Sequence, residues 1–349
     1  MTTDQVRIPA TGPLAGLLDT PGPLLDLTLD QLRTLLVVHS AGSPLAASRI
    51  LRREHSSVRK QLDTLNRAFQ RICGEAAAVK QGRGQDYLFT PTGQMAVRLA
   101  TDLFGDWSSA ITERRRQLGA TVTVATTEFT VDFLAQVWPQ VADEFTRREI
   151  ELNISHVRTR DFPAQLESKT ADLVCGSIAV EHGRPAALPG CDIIEWHREG
   201  LALVTNLPTR ELPVPAVDQE RLRTIPLLAP QAGLIAQFLI RWYGPDYRNQ
   251  LRIVAEADSI YYGLALLRSN LVHAALLTTQ AAAEATVEGR LPSNPSLRHV
   301  PLTDDFNPHM EIMAGVFARQ GERENYAPTH PLNLLWSAFL AGSAPQPRD

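Results

Sequence analysis

The stretch SSVRKQLDTLNRAF, residues 56–69, carries two patterns at once. Val58, Leu62, Leu65 and Phe69 fall at i, i+4, i+7 and i+11, the spacing of one apolar stripe on an α-helix. Ser56, Ser57, Lys60, Thr64 and Arg67 fall on the opposite face, with Arg59 at its edge. Such a helix packs its back on a core and presents cations to a partner. The surrounding charge points the same way. Between Leu45 and Thr90, nine Lys or Arg stand against four Asp or Glu, a local net of +5; with −4 for the whole chain, the remainder carries −9. A small basic module joined to an acidic body implies a negatively charged partner that touches the module alone.

Upstream, LTLDQLRTLLVVHSAGS (27–43) reads as a helix with Thr28 as N-cap, Leu29, Leu32, Leu35, Leu36 and His39 at helical spacing, and Gly42 closing it. SPLAASRILRREH (43–55) reads as a second helix, capped by Ser43, opened by Pro44, with Ala47, Ile50 and Leu51 turned inward. Two helices joined by a short turn, the second with a polar front, form a helix-turn-helix that fits a major groove. Candidate DNA contacts on it are His55, Ser56, Ser57, Arg59, Lys60 and Thr64. Gly82 and Gly84 flank Arg83 between two short apolar runs, which suits a hairpin tip from which Arg83 reaches a phosphate or a minor groove as a wing. The glycine spacing is neither GxGxxG nor a P-loop, so a nucleotide site is not expected there.

A helix of about 25 residues follows, capped by Thr90 with Pro91 just inside it. Met95, Leu99, Leu103, Trp107 and Ile111 repeat every four residues along it. The stripe fits either packing on its own domain or a subunit seam. Its place between a basic module and a larger domain favours the seam, through Met95, Leu99, Leu103 and Trp107.

From Thr121 strands alternate with helices: TVTVATT (121–127), a helical run to Arg148, EIELNISHV (149–157), FPAQLESKT (162–170) and ADLVCGSIA (171–179). This alternation predicts an α/β domain with a largely parallel sheet. A second round begins at GLALVTNLP (200–208), and EIMAGVFAR (311–319) returns before a last helix, which predicts two lobes joined by a double crossover with a ligand cleft between them. Thr126 and Thr127 lie where the first strand hands over to a helix, so their hydroxyls and nearby free N–H groups are suited to hold a carboxylate or other polar group.

These residues resemble the LysR-type transcriptional regulators over about residues 27–343. The family's DNA-binding segment runs without gaps against GSPLAASRILRREHSSVRKQLDTLN (42–66): Ala47 and Leu51 take small and apolar core positions, and Lys60, Gln61, Leu62 and Leu65 follow its basic, Gln, aliphatic, Leu order. FTPTG (89–93) corresponds to its short Thr-containing stretch before the linker helix. FPAQLESKTADLVCG (162–176) is similar to its Leu, spacer, Asp-Leu signature, and LVHAALLT (271–278) to its late strand signal. Departures stand at Arg53, where an aliphatic residue normally packs in the turn, at residues 54–56 (EHS), and at Asn270 and His273 in place of glycines.

The resemblance implies a winged helix-turn-helix over 27–90, a linker and dimerisation helix over 91–118, and a two-lobed effector-binding domain over 119–349 that resembles periplasmic binding proteins. The first lobe is expected at about 119–201 and 301–345, the second at about 202–300, and residues 1–26, rich in Pro and Gly, are read as a disordered arm. It also implies that Thr126 and Thr127 face the cleft with Ser177, Thr205 and Ser259. The expected partners are double-stranded DNA, a small-molecule effector and further copies of the chain, as a homodimer or homotetramer.

Composition is consistent with this. At 349 residues, 44% hydrophobic and 21% charged, the chain has an ordinary globular make-up, with no signal-peptide pattern and no run long enough to span a membrane, so a cytoplasmic location is expected. Cys73, Cys175 and Cys191 share no metal or disulfide spacing, and the nine histidines form no HExxH. No GxSxG elbow occurs, so neither catalysis, metal nor cofactor is expected. The alternative is a small-molecule-binding α/β protein or enzyme whose basic module docks on another protein.

Overall fold

The computed structural model describes residues 20–81, 87–213 and 215–343. The chain divides into two compact units, 1–114 and 115–349.

In the first unit α1 (Leu29–Ala41), α2 (Pro44–Leu51) and α3 (His55–Cys73) close on one core. Local sequence sets their ends. Thr28 and Gln31 form a reciprocal capping box, and Gly42 leaves α1 at φ +75°. The Ser43 hydroxyl accepts from Ala46 N–H at 3.3 Å, with Pro44 in the first turn. Val58, Leu62, Leu65 and Phe69 line one face of α3 against Leu35, Val38, Ala47 and Leu51. Ile50, expected inside, is 63% exposed. It sits a quarter-turn round α2 from Leu51, and Ala47, Ser48 and Leu51 already occupy the inward face of this two-turn helix. Of the arm read at 1–26, the described part is ordered: Gly22–Leu25 make one helical turn after Pro21 and pack against α3, and Leu27 joins the core.

β1 (Ala78–Lys80) and β2 (Tyr87–Phe89) pair as an antiparallel ribbon with Val79 opposite Leu88. Asn66 of α3 holds both backbone groups of Ala78, accepting from its N–H at 2.9 Å and donating to its carbonyl at 2.7 Å. The Thr90 hydroxyl accepts from Gly93 N–H at 3.1 Å at the start of α4 (Pro91–Gln117). A Cβ on Gly93 would fall 1.8 Å from the Ala77 carbonyl oxygen, so only glycine lets α4 lie this close to the strand lead-in.

The second unit holds two five-stranded sheets. One is built from β3 (Thr121–Thr126), β4 (Glu151–His156), β5 (Leu173–Glu181), β6 (Cys191–Glu199) and β12 (Met310–Arg319), in the order β4-β3-β5-β12-β6. The other comprises β7 (Leu201–Thr205), β8 (Leu227–Ala229), β9 (Ile253–Glu256), β10 (Ala275–Thr279) and β11 (Arg298–Pro301), in the order β11-β7-β10-β8-β9. The chain crosses at Gly200 and returns between Pro301 and Met310. β3, β4 and β5 run parallel, as do β8, β9 and β10, but β12 is antiparallel to β5 and β6, and β7 to β10 and β11. The largely parallel sheet is thus a mixed one, because β7 and β12, the strands that follow the two crossings, run opposite to the other four in their sheets.

Helices cover both faces of each sheet. α5 (Val131–Val137) and α10 (Pro331–Ser343) bury Phe133, Leu134, Trp336 and Phe339 on one side of the first sheet, and α6 (Phe162–Glu167) buries Phe162 and Leu166 on the other. In the second lobe, α7 (Leu234–Tyr243) covers one face and α8 (Ile260–Arg268) and α9 (Gln280–Val287) the other. α7 also packs against β5, and Met310 and Ile312 of β12 join the second lobe's core, so the lobes share apolar packing at the crossing.

The acid of the Asp-Leu signature is structural. Asp172 accepts from Arg116 and Arg319 at 3.3 Å each and from Thr123 N–H at 2.7 Å. Glu322 accepts from the same two arginines at 2.5 Å. Burial pushes the Asp172 carboxyl above the usual range, against the pull of Thr123 N–H and the two guanidiniums. The cluster joins Arg116, Asp172, Arg319 and Glu322 within the second unit. Among the described residues no helix is long and apolar enough to cross a membrane.

Candidate functional site

The outer face of α3 matches the helical-wheel reading. Ser56, Ser57, Arg59, Lys60 and Arg67 are exposed, and His55 and Thr64 are half-buried. Ser56, Arg59, Lys60, Asp63 and Arg67 line one shallow depression. Arg67 lies along the helix, its guanidinium donating to the Asp63 carbonyl at 3.3 Å and to the Thr64 hydroxyl at 3.1 Å. Glu54 precedes the helix without a side-chain cap bond, so the first-turn N–H groups lack that partner. Arg83 lies outside the described residues. Arg67 and Asp63, both in the opening stretch, belong to this surface although neither stood among the candidates.

What aims α3 was not recognised in the sequence. Arg53 donates to both carboxylate oxygens of Asp30, at 2.5 and 2.8 Å, and Gln61 of α3 donates to the same carboxylate at 2.7 Å. Thr34 donates in turn to the Gln61 carbonyl oxygen. The hydrogen bonds from Arg53 and then Gln61 hold the Asp30 carboxyl below its usual range. An ion pair therefore occupies the turn where an aliphatic contact was expected. The available signal was an arginine at an apolar position, which calls for an acid within reach.

Along α4 the small residues face in and the large ones out. Ala96 and Ala100 are buried, whereas Met95, Leu99, Leu103, Trp107 and Ile111 all remain exposed.

In the second unit, Thr126 and Thr127 are buried at the carboxyl end of β3. Thr130 donates its hydroxyl proton to the Cys175 carbonyl at 2.5 Å and accepts from Thr127 N–H at 3.0 Å. With that proton committed, Thr127 is the donor in the 2.9 Å contact between the two hydroxyls. The Thr127 oxygen is left able only to accept, so it does not suit the carboxylate the sequence suggested for it. Among the described residues no group bonds the Thr126 hydroxyl. Ser177 is half-buried in β5, opposite Ala314. Thr205 is fully buried and its hydroxyl is engaged on both sides, donating to the Ala274 carbonyl at 2.7 Å and accepting from Leu207 N–H at 3.0 Å. It clasps two segments of the second lobe with its proton committed, and full burial keeps its remaining lone pair from a ligand. Ser259 is exposed before α8 and makes no side-chain cap bond. No cluster of three metal-ligating side chains occurs among the described residues.

No protein-family model and no curated protein matches the sequence. Solved structures do. Full-length CbnR complexed with its target DNA matches at 16% identity and a TM-score of 0.54, over 91% of this chain and 100% of that one. The probable transcriptional regulator PA0477 from Pseudomonas aeruginosa matches at 16% identity and 0.52, over 92% and 99%. CbnR determined as a LysR family transcriptional regulator is matched again at 0.40, with 16% identity over 91% and 100%. The first two likenesses establish the fold: an N-terminal helical unit followed by a two-lobed α/β unit, the architecture of full-length CbnR.

Proposed function

We propose that this chain is a LysR-type DNA-binding transcriptional regulator whose promoter binding responds to a small-molecule effector. One observation carries the reading: α3 packs its apolar stripe into a three-helix core and turns Ser56, Ser57, Arg59, Lys60 and Arg67 outward on a chain that is acidic elsewhere. A helix of that kind enters a major groove, with Thr64, His55 and Arg83 as further contacts. The exposed stripe Met95, Leu99, Leu103 and Trp107 supports a subunit seam through α4, giving a homodimer or homotetramer that reads two half-sites in the cytoplasm. The effector binds between the lobes against Thr126, Thr127 and Ser177, with Ser259 at the rim. Selection of duplexes from a randomised pool by the full chain, followed by titration across salt, tests the reading. A selected motif with two half-sites and affinity that falls steeply with salt is expected; no enrichment and no duplex binding would refute it.

A further inference from the structure

Asp63 is the anion of the α3 face. It is exposed and shares its depression with Ser56, Arg59, Lys60 and Arg67. Among the described residues its carboxylate forms no ion pair, although Arg59, Lys60 and Arg67 stand one turn away on either side. Arg67 reaches past it to the Asp63 backbone carbonyl and the Thr64 hydroxyl. The acid is therefore not there to neutralise its neighbours.

A carboxylate on a surface that approaches phosphates is repelled in every encounter, since the duplex backbone presents only anionic acceptors. The groups it can bind lie in the major groove, where the exocyclic amines are cytosine N4 and adenine N6. Adenine sets its N7 acceptor beside that amine, facing the carboxylate with a second lone pair, whereas cytosine sets a C–H there. Guanine and thymine offer the carboxylate no amine in this groove. Resting on the reading of the chain as DNA-binding, we propose that Asp63 determines specificity, accepting a hydrogen bond from the N4 amine of a cytosine and repelling the α3 face from duplexes without one at that position. Arg59 precedes Asp63 by four residues, about 6 Å along the helix axis. Its guanidinium is suited to the O6 and N7 of a guanine, so cytosine and guanine are expected within about two base steps of each other.

The test selects duplexes from a randomised pool with the full native chain, with Asp63→Asn and with Asp63→Ala. Each protein is then titrated with the native-selected duplex and with a scrambled duplex. Both substitutions are at an exposed position, Asn is close to isosteric, and circular dichroism confirms that each variant is folded. The native chain should select one cytosine per half-site. Both variants should lose that preference by about fivefold to a hundredfold while keeping the other positions, and should bind the scrambled duplex more tightly than the native chain does. The proposal is overturned if the variants keep the cytosine preference, if the native chain prefers adenine or no base there, or if scrambled-duplex affinity is unchanged. A native chain that selects no motif and binds no duplex overturns the DNA-binding reading itself; failure of the Asp63 assignment alone leaves the native motif intact.

Discussion

Arg53 holds Asp30 through both guanidinium nitrogens, at 2.5 and 2.8 Å, joining the turn before α3 to the first turn of α1. Gln61 reaches the same carboxylate from α3. The pair sits about a third exposed, so its main effect is to orient the helix and its contribution to stability is small.

That carboxylate makes the first unit acid-sensitive. Its folded pKa lies below the ordinary value of 3.8, so the stabilisation is fully present above that value and is lost as pH falls through the folded pKa. Asp30→Asn should be slightly less stable than the native chain at neutral pH. The gap should close on acidification, as followed by urea unfolding across the carboxylate range. A gap that stays constant with pH would mean that the charge of Asp30 contributes nothing.

Lys60→Ala and Arg59→Ala should each weaken duplex binding. A residue that meets a phosphate lowers the salt slope by about one when removed. Isothermal titration at several salt concentrations distinguishes this from loss of a base contact, which lowers affinity with little change in slope.

Leu103→Asp places a charge in the middle of the open stripe of α4. The side chain is already exposed within one chain, so the fold should survive while the oligomer dissociates. Analytical ultracentrifugation should show a smaller species, with affinity reduced more for a two-half-site duplex than for a single half-site. A folded variant that sediments like the native protein would place the seam elsewhere.

Thr126 and Thr130 should respond differently to loss of the hydroxyl. Thr126→Val removes a hydroxyl that bonds no group among the described residues and keeps the side chain's shape, so stability should change by less than about 0.5 kcal/mol. An effector bound to that oxygen should lose about 1–3 kcal/mol of affinity. Thr130→Val leaves the Thr127 hydroxyl without its acceptor and takes the Thr130 donor from the Cys175 carbonyl inside a buried turn, and should destabilise the fold by about 1–3 kcal/mol. Thermal shift of both variants, with and without hits from a metabolite screen, separates the two roles.

Gly93→Ala should destabilise the first unit by about 1–3 kcal/mol, because its methyl group meets the Ala77 carbonyl, which is backbone and cannot rotate away. Calorimetry should show the loss in the unfolding of the first unit.

The sequence by itself determined the features that are local in the chain. The stripe from Val58 to Phe69, the Thr28 cap, the Gly42 stop, the Ser43–Pro44 start and the Thr90 cap all join residues within a few turns. Periodicity and capping chemistry specify them before any tertiary contact exists. The tertiary structure decided what depends on partners distant in sequence. Arg53 reads as a misfit until the fold brings Asp30 beside it, and Thr205 reads as a candidate ligand group until β10 brings the Ala274 carbonyl to its hydroxyl. The Thr127 hydroxyl becomes acceptor-only because β5 sets the Cys175 carbonyl where Thr130 must donate to it. A side chain's type states which hydrogen bonds it can make; only strand register and helix docking determine which of them are already taken.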